Sequence, residues 1–241
     1  MAKKRDPEAT LALLWGEQGR PSRGPKPSLS AAGIAARAVE IADAEGLEAA
    51  SMQRMGKEFG VTTMALYRYV PGRAELVELM VDAAMGTPEP VGAIAGGWRP
   101  QLADWTRQCW AMYGRHPWIL TATAMRRQLM GPNQLAWLDT ALSALARTGL
   151  GAAEQHDTFL LLVGHVRNLT QQLTDEDAAA SAEWARLTAG LLERQGHRYP
   201  ALTAAVAAGA FVPSGGDPLE FGLERILDGV AALIERQGLE G

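Results

Sequence analysis

The stretch from Ser51 to Tyr69, SMQRMGKEFGVTTMALYRY, constrains the fold more than any other part of the chain. Met52, Met55 and Phe59 share one helical face before Gly60, and Leu66 and Val70 share one after it. Two short amphipathic segments meeting at a glycine are the pattern of a helix-turn-helix. Ser51 stands where an N-cap would open the first helix, Gly60 can close it in the left-handed conformation, and Thr62 can cap the second by accepting a backbone N–H. With Leu66 and Val70 turned inward, the second helix displays Thr63, Met64, Tyr67 and Arg68 outward. A solvated helix more commonly shows Glu and Lys there, so this face is expected to meet something other than water.

The chain on either side reads as helices throughout. Ser30 is expected to cap a helix with Ile34, Ala38, Ile41 and Ala42 on one side, ended by Gly46. Beyond Pro71-Gly72 a further helix begins near Arg73 and turns Leu76, Val77, Met80 and Val81 inward. Residues 87–97, rich in Gly and Pro, form the expected linker. After it Trp98, Leu102, Trp105, Cys109, Met112 and Tyr113 step round one face, Pro117 and Pro132 each open a new helix, and Leu135, Leu138, Leu142 and Leu145 make a seam. The segment 152–173 is apolar on nearly every side between Phe159 and Val163, and 218–237 presents Leu219, Leu223, Ile226, Val230 and Leu233. No run alternates like a strand, so the fold is expected to be all-α. The excess apolar surface of 152–173 and 218–237 points to pairing with a second copy.

Net charge is −4, yet its distribution matters more than its sum. Residues 1–86 hold 11 Lys/Arg and 11 Asp/Glu, so the deficit lies in the second part. Arg54, Lys57, Arg68 and Arg73 surround the helix-turn-helix, and a local basic face in a neutral domain suits nucleic acid. Residues 1–29 contain four Pro and read as a flexible basic arm, in which Arg20, Arg23 and Lys26 alternate with prolines. Such an arm either enters a minor groove beside the reading helix or is a solubilising tail.

The sequence GVTTMALYRYVPGRAEL resembles the signature of the tetracycline-repressor family of transcriptional regulators, and the likeness is close over residues 30–86. Gly56 departs from it, where the family usually has Ala between the two helices. The resemblance implies an N-terminal helix-turn-helix domain at 30–86 joined to a helical effector-binding and dimerisation domain at 98–241. It implies that Tyr67 and Tyr69 touch phosphate or base methyl groups of a double-stranded operator, and that Arg73 takes the place of a phosphate-binding Lys. Thr63 and Met64 would face base edges, with Ser51, Gln53, Thr62 and Arg68 around them. The helices at 152–173 and 218–237 correspond to the family's four-helix dimer interface.

A regulator of this type needs a cavity for a small, largely apolar effector, and Trp105, Cys109, Met112, Met125, Trp137 and His165 are the candidates to line it. An alternative is a constitutive or architectural DNA-binding protein that senses nothing. An all-α enzyme is the weakest reading: the four His are scattered, and no metal spacing, phosphate loop or nucleophile elbow is present. No catalytic residue, metal or cofactor is therefore expected. Cys109 is the single cysteine, which excludes an internal disulfide. The most apolar stretch is too short to span a bilayer and the N-terminus lacks a signal-peptide pattern, so a cytoplasmic location is expected.

Overall fold

A computed structural model describes residues 6–17, 29–124, 129–174, 178–210 and 216–240. Twelve α-helices run in chain order among them: α1 (Pro7–Leu14), α2 (Ala31–Glu45), α3 (Met52–Phe59), α4 (Thr63–Leu66), α5 (Arg73–Met85), α6 (Trp98–Arg115), α7 (Trp118–Thr123), α8 (Pro132–Leu145), α9 (Ala152–Thr174), α10 (Ala178–Gln195), α11 (Pro200–Ala207) and α12 (Pro218–Glu240). No strand occurs among the described residues, as the absence of alternation predicted. None of these helices is long and apolar enough to cross a membrane.

The first part forms around α5. Ser30 caps α2 by accepting from the Gly33 N–H (3.0 Å), and Ile34, Ala35, Ala38, Ile41 and Ala42 then lie buried against α5. Helix α5 is buried on nearly all sides because α1, α2, α7 and α8 surround it. That position puts two carboxylates, Glu78 and Asp82, in the interior at 4% and 6% exposure. The second part is built on α6, α8, α9 and α12, whose Leu102, Trp105, Met112, Leu145, Leu162 and Leu223 are fully buried.

Three expectations need correction. The N-terminal arm is not wholly extended: Asp6 caps α1 by accepting from the N–H groups of Glu8 and Ala9, Pro7 sits at its first turn, and Thr10, Leu13 and Leu14 pack toward α5. Eight residues show too little periodicity for that helix to be legible, and its stability comes from docking. On α8 the buried face is Trp137, Ala141, Ala144 and Leu145, whereas Leu135 is 36% exposed and Leu138 and Leu142 are half-buried. The indole at Trp137 is drawn inward by hydrogen bonds described below, and this rotates the leucine seam outward. Helix α9 is buried on one side only, through Thr158, Leu162, Val166 and Thr170, leaving Leu160 and Leu161 half exposed.

The stretch 87–97 is held to α6 rather than hanging free. Gln108 accepts from the Glu89 N–H (2.8 Å) and donates to the Glu89 carbonyl (3.3 Å), and Val91 is buried.

Candidate DNA-reading surface and effector cleft

Helix α3 opens on Ser51, whose hydroxyl accepts from the Arg54 N–H at 3.1 Å, and closes on Gly60 at φ 64°, ψ 30°. A residue with a Cβ would be strained in that left-handed conformation. Thr62 then accepts from the Ala65 N–H (3.3 Å) to start α4, and a further turn through Tyr67 to Val70 is carried by bonds to the carbonyls of Thr63 and Leu66. Gly56 explains the tightness of the corner. A Cβ there would stand 3.0 Å from the Val61 carbonyl oxygen and 3.6 Å from the Thr63 nitrogen, so its absence lets α3 approach the chain entering α4. The roughly 1 kcal/mol that glycine costs in helix propensity is offset by that approach.

The face of α4 is open. Met64 is 75% exposed and Tyr67 43%, Arg68 and Thr62 are exposed, and Thr63 is half-buried. Among the described residues no carboxylate pairs with Arg68, and together with Thr62, Met64, Ala65 and Tyr67 it lines a shallow concavity. Tyr69 is half-buried against the core, so it stands at the edge of this face rather than on it. Gln53 is exposed and Ser51 half-buried on the same side of the chain as the α3 start.

The surrounding cations divide into two sets. Arg54 is bound internally: its Nε donates to Glu58 (2.8 Å) and its Nη2 to Glu45 (2.9 Å), while Arg37 donates to the other Glu58 oxygen and to Glu40. The two guanidinium groups, Arg37 first, hold the Glu58 carboxyl below its ordinary range. Arg73 makes one exposed contact with Glu48 (2.9 Å), whose side chain is 89% accessible, and a pair so solvated is easily exchanged for phosphate. Lys57 is exposed. Arg20, Arg23 and Lys26 lie outside the described residues.

Of the six residues expected to line an effector cavity, four are buried. Trp105, Cys109, Met112 and Trp137 are each 5% exposed or less. The Trp105 indole donates to the Trp137 carbonyl (3.0 Å), and the Trp137 indole reaches the carbonyls of Met85 (3.2 Å) and Gly86 (2.9 Å) at the end of α5. Burial pushes the Cys109 thiol well above its usual pKa, which makes it inert. His165 is wedged between α9 and α12, with Nε2 3.1 Å from the Leu219 carbonyl and its ring filling the space a Cβ on Gly222 would need. Met125 lies outside the described residues.

Among the described residues, concave space opens between α7 and α9. A cleft of about 470 Å³ is lined by Pro117, Leu120 and Thr121 on one side and by Arg167, Asn168 and Gln171 on the other. These polar α9 residues escaped sequence reasoning because they follow an apolar run and resemble a solvated helix end.

The two parts of the chain meet through polar contacts, those of Asp82 and Glu78 in the interior and those of Asp43 nearer the surface, that were likewise not legible. Asp82 accepts from the Gln134 N–H (3.0 Å) and from the Asn133 side chain (3.1 Å), so a carboxylate of α5 caps the start of α8. Burial, outweighing those donors, raises its pKa. The approach is close enough that a Cβ on Gly131 would overlap the Asp82 carboxylate. Asp43 of α2 accepts from the Trp118 indole (2.7 Å) and pairs with His116 Nδ1 (2.7 Å). Glu78 accepts from the Leu129 N–H (3.2 Å).

Residues 90–234 match the family described as tetracyclin repressor-like, C-terminal domain. The chain is 39% identical over 239 residues to the HTH-type transcriptional repressor DrrR1 of Streptomyces coeruleorubidus, covering 95% of this chain and 87% of that one. It is 28% identical over 153 residues to an HTH-type transcriptional regulator of Saccharopolyspora erythraea, covering 64% of each. Among solved structures it is similar to ActR of Streptomyces coelicolor, crystallised in complex with actinorhodin, with TM-score 0.73, 26% identity, and coverage of 86% of this chain and 97% of that one.

Proposed function

This chain belongs to the tetracycline-repressor family of transcriptional regulators, and from that premise we propose that it is a ligand-responsive repressor that binds a pseudo-palindromic operator as a homodimer. The observation that carries the DNA-reading assignment is the open α4 face, where Met64, Tyr67 and Arg68, the last with no carboxylate partner among the described residues, stand out from a corner built with no slack. Apolar and basic side chains at the start of a helix suit base methyl groups and phosphates in a major groove. A four-residue helix reads few base pairs, so two copies related by a two-fold axis supply the selectivity.

The face that brings the copies together runs along α9 and α12. Leu160, Leu161 and Phe221 are 50%, 58% and 70% exposed, beside a groove lined by Leu161, Ile226, Val230 and Leu233. Three large apolar side chains on two adjacent 23-residue helices are costly to leave in water. The effector enters the cleft between α7 and α9, in keeping with the small molecule bound by the similar ActR.

Selection from random duplex DNA tests the whole reading. The enriched sequences should contain an inverted repeat, Tyr67→Ala should abolish the enrichment while leaving the dimer intact, and Leu161→Glu should give monomers by sedimentation. A wild-type protein that is monomeric at micromolar concentration, or that enriches no inverted repeat, overturns the proposal.

A further inference from the structure

The charge of the cleft between α7 and α9 goes beyond the expectation of a largely apolar effector. Arg167 lines it, and among the described residues its guanidinium is held in place by neutral groups: Nη1 donates to the Tyr113 hydroxyl (3.1 Å) and to Thr123 Oγ1 (2.8 Å), and the group lies over the Tyr113 ring at 5.7 Å. Tyr113 is itself 6% exposed, so the cation rests on a rigid support. Among the described residues no carboxylate pairs with Arg167, and none lines the cleft. The donors on Nε and Nη2 have no acceptor among those residues. Other arginines among the described residues are neutralised: the half-buried Arg99 meets Glu224 and Asp228, and the exposed Arg107 meets Glu220. Arg167 is the contrast, a fixed guanidinium with one edge occupied and, among the described residues, no acceptor on the other.

A planar guanidinium edge with two free N–H donors matches a carboxylate or a comparable pair of anionic oxygens. Asn168, Gln171 and Thr121 add neutral donors around it, and Pro117 and Leu120 supply an apolar wall. We propose that the effector of this chain is an organic acid: a largely apolar, ring-sized body carrying one carboxylate or enolate-type oxyanion that pairs with Arg167. The proposal rests on the reading of the chain as an effector-responsive regulator with its site in this cleft. It also gives the acid a route to the DNA-binding part. Thr123 closes α7, and α7 begins at Trp118, whose indole is bonded to Asp43 of α2.

Calorimetric titration of the full-length dimer with paired probes tests it. Benzoate, 2-naphthoate and anthracene-2-carboxylate are each compared with the uncharged amide of the same ring system. The acid that fits should bind at least tenfold more tightly than its amide, the scale of a charge-assisted bidentate contact. Arg167→Gln should erase that preference while leaving the amide's affinity unchanged, and Arg167→Lys should retain part of it. Thr121→Trp, which fills the cleft, should block both probes. Equal binding of acid and amide, or a preference that survives Arg167→Gln, overturns the acid assignment while a block by Thr121→Trp keeps the cleft. If no probe binds the wild type, or binding is indifferent to Thr121→Trp, the cleft assignment falls together with the proposal.

Discussion

The corner between α3 and α4 and the seam between α5 and α8 are stabilised in opposite ways. At the corner the caps and the turn are local: Ser51 bonds three residues ahead, Thr62 bonds three residues ahead, and Gly60 turns the chain between them. In the seam the partners are about fifty residues apart or more, with Asp82 on Gln134, Glu78 on Leu129, and the Trp137 indole on Met85 and Gly86. The corner leaves its side chains in water and the seam buries its carboxylates. This difference separates two tasks. A locally built corner can vary its outward residues without disturbing the fold, so operator choice is nearly independent of stability. A seam of buried polar groups cannot open gradually, because each donor or acceptor left unpaired costs about 1 to 3 kcal/mol. An effector acting through it must shift the molecule between two discrete packings.

The sharpest way to break this contrast is to fill the seam. Gly131→Leu drives a side chain into the Asp82 carboxylate and should destabilise the protein by about 3 kcal/mol in urea denaturation; a loss under about 0.5 kcal/mol would show that the seam has room. On the corner, Tyr67→Ala should lower operator affinity by roughly 1 to 3 kcal/mol while the unfolding midpoint stays put, since its ring is 43% exposed. Should stability fall instead, the corner is not the independent reader described here. Trp137→Phe keeps the ring but removes its donor, and should cost about 1 to 2 kcal/mol and shift operator affinity as well, because the lost bonds end on α5. Thr62→Ala should cost about 1 kcal/mol, with salt dependence of DNA binding unchanged.

The smallest expected effect is a pH dependence. Asp82 has its pKa raised by burial, so in the folded protein the ionised form is disfavoured relative to the unfolded chain. The sign follows: wild type carries a penalty at neutral pH that is relieved as pH falls through the raised value toward about 4, the unfolded carboxylate range. Asp82→Asn lacks that titration. The stability of wild type measured against Asp82→Asn should therefore improve on acidification from pH 7, while Glu58, whose pKa is lowered by Arg37 and Arg54, contributes the opposite trend to both proteins alike. A difference that stays flat, or runs the other way, would mean that the donors of α8 outweigh the burial of Asp82.

Particular residues show where legibility stopped. Ser30, Ser51, Gly60 and Thr62 were readable because capping and left-handed turns depend on one or two positions and act within four residues. Trp137 was readable as apolar but not as the indole that ties α8 to α5; its partners are backbone carbonyls, which every residue possesses and no pattern singles out. The surroundings of the expected lining residues were illegible for a related reason. Aromatic and sulfur side chains at Trp105, Cys109 and Met112 satisfy helical spacing equally well whether they face solvent-accessible space or lie buried, and only the approach of α8 and α9 decided that they are buried.

Helical periodicity, caps and turn glycines thus determined the all-α class, the helix order and the outward residues of α4, because each depends on interactions within a turn or two of the chain. Tertiary structure alone decided which face of α8 is buried, that Pro7–Leu14 docks as a helix, that Asp82 caps α8, and that Arg167 stands beside an open cleft with no carboxylate partner among the described residues. Those outcomes depend on groups distant in sequence meeting at van der Waals distance, where burial sets the energy of every unpaired charge and donor, and a single helix carries no record of what will be packed against it.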